Sequence, residues 1–105
     1  MQPPLSTAQI AGLRSQAQRL DAILKVGKQA LAPGFIASVK EALERHELIK
    51  VKFADHKDEK KTLAPQLAEQ TGSILVTLIG NVAVLFRRHP DPARRRIQIK
   101  PAVSD

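Results

Sequence analysis

Ile23-Leu24-Lys25-Val26-Gly27-Lys28-Gln29-Ala30-Leu31 is the stretch on which the reading of this chain turns. Residues 23–26 form a short apolar strand, Gly27 and Lys28 open a loop, and a helical pattern resumes at Pro33. A strand that passes through a glycine into a helix start is a common place to hold phosphate. The glycine lets the backbone approach an oxyanion, and the first free N–H groups of the helix point at it.

Before this stretch, Ser6-Thr7-Ala8-Gln9 fits a capping box. Ile10, Leu13, Ala17 and Leu20 follow at helical spacing, which predicts a helix over 7–21 with Arg14 and Arg19 off its apolar stripe. After it, Pro33 suits the first position of a helix over 33–46, whose buried face is Ile36, Val39 and Leu43. Residues 48–53 alternate, with Ile49, Val51 and Phe53 on one face and Lys50 and Lys52 on the other. Asp55 can cap a third helix over 57–71, which Pro65 should kink and Gly72 should end. Two apolar runs, 74–79 and 82–86, are separated by Gly80-Asn81 alone, a hairpin signal between strands expected to be largely covered.

The order αβαβαββ predicts a compact α/β domain with three helices and a mixed four-stranded sheet. Right-handed crossovers make the first three strands parallel and set the fourth antiparallel, at or near an edge.

Composition narrows the function classes. The chain has 105 residues, enough for one domain, and no cysteine, which excludes disulfides, thiolate zinc sites and thiol catalysis. No apolar run approaches the roughly 20 residues that span a bilayer, and Met1-Gln2-Pro3-Pro4 lacks the regions of a secretory signal. A cytoplasmic protein away from membranes is expected.

Seventeen Lys and Arg against ten acids give a net charge of +7, a surface suited to polyanions. More than half of that excess lies in the last nineteen residues, where Arg94-Arg95-Arg96 stand in a segment with little core-forming pattern. The chain therefore divides into a domain over 1–88 and a basic, flexible tail over 89–105. Three Phe and no Tyr or Trp argue against base stacking on exposed aromatics, and favour recognition of backbone and shape.

From Leu5 to Arg87 the sequence resembles the YhbY-like family, whose fold is called the CRM domain. The resemblance is carried by Leu13-Arg14, Val26-Gly27-Lys28, Glu41-Ala42-Leu43-Glu44, His46-Glu47-Leu48-Ile49-Lys50-Val51, Gly72, Ile79-Gly80 and Leu85-Phe86-Arg87. It implies an RNA-binding module similar to the C-terminal domain of bacterial translation initiation factor 3. Single-domain bacterial members are associated with the large-subunit ribosomal precursor and plant members with intron splicing.

The family loop reads Gly-x-x-Gly, similar to the loop with which KH domains clamp a nucleic-acid backbone. Here it reads Gly27-Lys28-Gln29-Ala30, and alanine resists the left-handed backbone that a second glycine would adopt.

Taken together, these readings predict a non-catalytic, monomeric RNA-binding protein that assists ribosome assembly and needs no cofactor, metal or small-molecule substrate. Its RNA contacts are expected at Gly27, Lys28, Gln29 and Ala30, with Lys25, Lys50, Lys52, Arg14, Arg19, Arg94, Arg95 and Arg96 extending the basic surface. Lys50 and Lys52 equally suit the solvated face of a strand, and Gly27 a plain turn. Asp55, His56, Asp58 and Glu59 fit no metal-ligand spacing. The rival functions are an interaction module for an acidic protein and a basic architectural protein on DNA.

Overall fold

The alternation in β2 (Leu48–Phe53) divides the molecule into layers. In this computed structural model, which describes residues 5–99, Ile49, Val51 and Phe53 are fully buried on one face of the sheet. There they pack with Val26, Val39, Leu43, Ala64, Leu67 and Leu85. Leu48 belongs to the opposite face and packs with Leu13, Ala17, Val76, Val84 and Phe86. Helices α2 (Pro33–His46) and α3 (Lys60–Thr71) cover the first face, and α1 (Thr7–Ala17) covers the second. That second cover is partial. Past Leu48, the residues of β2 with the same facing are Lys50 and Lys52, where no apolar cover is needed.

The remaining strands are β1 (Ala22–Val26), β3 (Ile74–Ile79) and β4 (Val82–Phe86), in the sheet order β1-β2-β4-β3. β1 runs parallel to β2, and β4 runs antiparallel to both β2 and β3, so the first three strands share one direction. The α/β class, the element order and the mixed four-stranded sheet are those the sequence implies.

The place of β4 is not. It lies inside the sheet, between β2 and β3, rather than at or near an edge. Burial gives the reason: Ala83, Val84, Leu85 and Phe86 are all buried, whereas β3 buries only Val76 and ends on Ile79, 60% exposed. The more continuously apolar strand takes the position covered on both faces. The hairpin turn has Gly80 at φ 57° and no positive φ at Asn81, the pattern of a type II′ turn.

Two helices start or stop away from their sequence-predicted limits. α1 ends at Ala17, because the N–H groups of Gln18, Arg19 and Leu20 donate to carbonyls three residues back, a tightening that turns the chain into β1. Leu20 consequently leaves the buried stripe. Its N-terminal capping box is present in both halves, at 3.1 and 2.9 Å. The segment 57–59 is a 3-10 turn, and Asp55 accepts from the His56 N–H instead of capping the helix. Pro65 lies inside α3, and Gly72 ends it at φ 67°.

The chain past β4 lies back on the domain. His89 is buried, residues 92–94 form a 3-10 turn, and Ile97 and Ile99 pack on the same cluster as α1. Residues 1–4 and the end of the tail, 100–105, lie outside the described residues.

Candidate functional site

The loop after β1 is a hydrogen-bonded turn. The Ala30 N–H donates to the Gly27 carbonyl at 3.0 Å, which places Lys28 and Gln29 at the exposed corners. Its left-handed residue is Ala30, at φ 52°; Gly27 has no positive φ. Alanine thus adopts the conformation that the sequence reading expects it to resist, at a cost of about 1–2 kcal/mol relative to a glycine-like position. Gly27 carries the opposite lesson. A Cβ added there would meet nothing within 4 Å, so neither backbone angle nor packing requires glycine. What the missing side chain leaves is open space over the turn for an outside group.

Contacts from the loop after β2 fix this turn. The Val26 carbonyl accepts from the Ala54 and Asp55 N–H groups, at 3.2 and 3.0 Å. His56, itself left-handed at φ 55°, places its Nε2 2.7 Å from the Lys28 carbonyl. That hydrogen bond raises the His56 pKa above its ordinary value. Partial burial opposes the shift, and the carboxylates of Asp55 and Glu59 add to it. The ring donates its Nε2 proton to the carbonyl, and Nδ1 lies 3.9 Å from the Glu59 carboxylate.

Beside the turn lies the uncovered half of the sheet. The register sets Lys25 opposite Lys52 and Ala22 opposite Lys50, so the three lysines share the face that α1 leaves open. Lys50 lines a shallow recess there with Leu20, Asp21, Ala22, Ile79, Val82 and Val84. Arg14 is exposed on α1, about 200° around the helix from Gln16, whose amide holds the C-terminal segment. It therefore occupies the flank away from that segment. Phe53 and Phe86 are fully buried, so neither is available for stacking.

The other sequence-predicted residues lie elsewhere. Arg19 precedes β1 and lines a groove with Ile23, His46, Leu48 and Arg96, at the end of the sheet away from Lys28. Arg94, Arg95 and Arg96 are exposed beside Glu44, Arg45 and His46. They sit there because of Glu47, which sequence reasoning missed as a functional residue. Its side chain is fully buried just past α2, and its carboxylate accepts the N–H groups of His89 at 2.7 Å, Ile97 at 2.9 Å and Arg96. Burial alone would raise the pKa of this carboxyl. The three N–H donors and the charge of Arg88 outweigh burial and hold it below the usual value. A charged residue directly before an apolar strand is the one sequence signal for it. Among the described residues no cluster of His, Asp or Glu could hold a metal, and no helix is long and apolar enough to cross a membrane.

A three-layer α/β domain with a basic, half-open sheet face and a Gly-Lys turn at the end of its first strand defines the class. The chain belongs to the CRS1 / YhbY (CRM) domain family, whose model matches residues 5–87. It is 36% identical over 89 residues to a protein of Pseudomonas aeruginosa named as a probable RNA-binding protein, covering 84% of this chain and 86% of that one. It is 40% identical over 76 residues to a probable RNA-binding protein of Bacillus subtilis, covering 71% and 79% of the two chains. A solution structure of a hypothetical Staphylococcus aureus protein, described as a candidate RNA-binding protein, superposes with a TM-score of 0.74 at 34% identity. That match covers 90% of this chain and 100% of the other.

Proposed function

We propose that this chain is a non-catalytic RNA-binding protein that contacts RNA through the Gly27–Ala30 turn and the lysine-bearing half of the sheet. The observation that carries this reading is the register of β1 on β2. It gathers Lys25, Lys50 and Lys52 onto one uncovered face next to Lys28. Four ammonium groups there offer phosphate contacts that position a backbone without reading its sequence. Gly27 leaves room for a phosphate to approach the turn, and Lys28 supplies the charge.

Membership of a family whose relatives are named RNA-binding supports RNA over other polyanions. With the described Phe side chains largely withdrawn into the core, selectivity comes from RNA shape and 2′-hydroxyls. The finer part of the reading follows the family resemblance: the RNA is large-subunit ribosomal precursor, and the role is to assist its assembly, in the cytoplasm, as a monomer.

The test compares a structured RNA, duplex DNA of equal length and an acidic polypeptide as ligands at matched salt, for the wild-type chain and Lys28→Glu. The reading expects RNA to bind most tightly. It also expects the substitution to weaken RNA binding, with a salt slope shallower by about 0.7 for each single-strand phosphate no longer neutralised. Preference for duplex DNA or the acidic polypeptide would replace it with one of the rival functions. Sedimentation with large-subunit precursor particles, abolished by nuclease, tests the ribosomal part.

A further inference from the structure

The arginines of the C-terminal segment stand at the far end of the sheet from the Gly-Lys turn. Lys28 follows the last residue of β1, whereas Arg19 precedes its first and shares a groove with Arg96. The five residues of β1 alone separate these ends by about 17 Å, at ~3.3 Å per residue. A phosphate seated on the turn therefore lies a full strand length from the arginine-bearing end.

The segment is held firmly. Its backbone is tied to the Glu47 carboxylate at His89, Arg96 and Ile97. The Asp91 side chain accepts from the Ala93 N–H, the Arg95 Nε donates to the His89 carbonyl, and the Gln16 amide donates to the Gln98 carbonyl. Three consecutive exposed arginines thus rise from a fixed backbone, beside Arg45 and His46 at the end of α2. The acids nearby are Glu44 and Asp21, which line the same grooves, Glu41, paired with Arg45 at 2.9 Å, Asp91 in the segment itself, and the buried Glu47. Packing like charges together opposes folding, and a bound polyanion removes that repulsion. A backbone fixed in advance also loses less entropy on binding than a disordered arm.

We propose that this arginine-bearing end is a second site for RNA backbone, separate from the Gly-Lys turn, so that the chain grips one RNA at two places. The inference rests on the RNA-binding reading above. It adds that the ligand must be long enough to reach both ends of β1, and that Arg19, Arg94 and Arg96 contact phosphates the turn does not touch.

Binding isotherms over a salt series, with two RNA probes, test it. One probe is an oligonucleotide of about four nucleotides, the length a KH-type loop clamps. The other is a stem-loop with single-stranded flanks, several times longer. The variants are a triple Arg94→Gln, Arg95→Gln, Arg96→Gln and a double Arg94→Gln, Arg96→Gln that spares the Arg95 hydrogen bond, each checked for a wild-type thermal midpoint. Lys25→Gln with Lys28→Gln disables the turn.

The arginine variants should both bind the long RNA about tenfold more weakly, with salt slopes shallower by about 1.4 for the two phosphate contacts of Arg94 and Arg96. Both should bind the short probe as the wild type does. The turn variant should weaken both probes. Unchanged binding of the long RNA by the arginine variants would overturn the second site, and so would an equal loss on the short probe, which would mean one continuous site. Loss with the arginine variants but none with the turn variant would uphold the second site and sink the turn. A wild-type chain that binds neither RNA would overturn both readings.

Discussion

The two ends of β1 solve the same backbone problem with opposite means. Each has a non-glycine residue at positive φ, Ala30 at 52° near one end and Glu47 at 62° near the other. At Ala30 the side chain contributes little, and the turn is held from outside by its own 3.0 Å hydrogen bond and by His56. At Glu47 the side chain is the reason for the conformation. Its carboxylate gathers three N–H groups, and its carbonyl accepts a fourth from Arg87 at 2.8 Å. A strained residue that organises a buried network should govern stability, and one on an exposed turn should govern what the surface can meet. Substitutions at the two ends therefore ought to separate into two kinds.

The largest effect is expected at the Glu47 end. Glu47→Ala leaves the N–H groups of His89, Arg96 and Ile97 without their acceptor and should cost about 2–4 kcal/mol in urea unfolding. It should also speed proteolysis beyond Arg88. A loss below about 0.5 kcal/mol, the scale of an ordinary surface change, would show that the segment is not held by this residue.

The pH dependence has a definite sign. Because the carboxyl pKa is lowered on folding, its contribution is present above the ordinary value of 4.5 and is lost as pH falls through the lower, folded value. Wild-type stability should therefore fall on acidification below about pH 4.5 more steeply than that of Glu47→Gln. Parallel curves for the two proteins would contradict this.

At the turn the expected changes are smaller, and two substitutions move in instructive ways. Ala30→Gly removes the left-handed penalty and should stabilise by about 1 kcal/mol, less the greater entropy of glycine in the unfolded chain. That corresponds to a rise in thermal midpoint of several degrees. A loss of stability would mean that the turn is not left-handed at position 30.

Gly27→Ala, with open space for its methyl, should be neutral or stabilising by up to about 1 kcal/mol. It should nevertheless weaken RNA binding. If binding is unchanged, close approach to Gly27 has no part in recognition.

The smallest effect is at His56. Its raised pKa means that its contribution to the turn is present below the ordinary value of 6.5 and fades as pH rises through the higher, folded one. Amide resonances of residues 27–30 should titrate with that ring in the wild type and cease to do so in His56→Gln, with global stability almost unchanged. Resonances that titrate equally in both would remove His56 from the turn.

Which parts are legible in the sequence follows from which interactions are local. The capping box at Ser6, the proline that opens α2, the alternation of β2 and the Gly80-Asn81 turn are all read within a few residues, and each stands in the structure. The interior place of β4 is a choice among strands distant in sequence, and an apolar run reads alike in either position. The contacts of Glu47 span 42 to 50 residues, and no periodicity carries such a link. The segment beyond Arg88 reads as loose because its composition is polar and basic, yet the buried Glu47 carboxylate, the packing of Ile97 and Ile99 and the Gln16 amide lay it down. For this reason truncation after Arg88 is a poor probe of binding: it would remove the partners of Glu47 along with the arginines. In the sequence His56 stands among acids with no metal-ligand spacing and shows no partner, whereas its partner is a backbone carbonyl 28 residues away.

RNA bound as proposed lies on the half of the sheet that α1 leaves open, beginning at the Gly-Lys turn. Titration of isotopically labelled protein with a structured RNA, followed amide by amide, tests it most directly. The largest shifts are expected at Lys25, residues 27–30, Lys50 and Lys52, with little change on the outer surfaces of α2 and α3. Shifts concentrated on those two helices, with the turn and the three lysines unmoved, would contradict it.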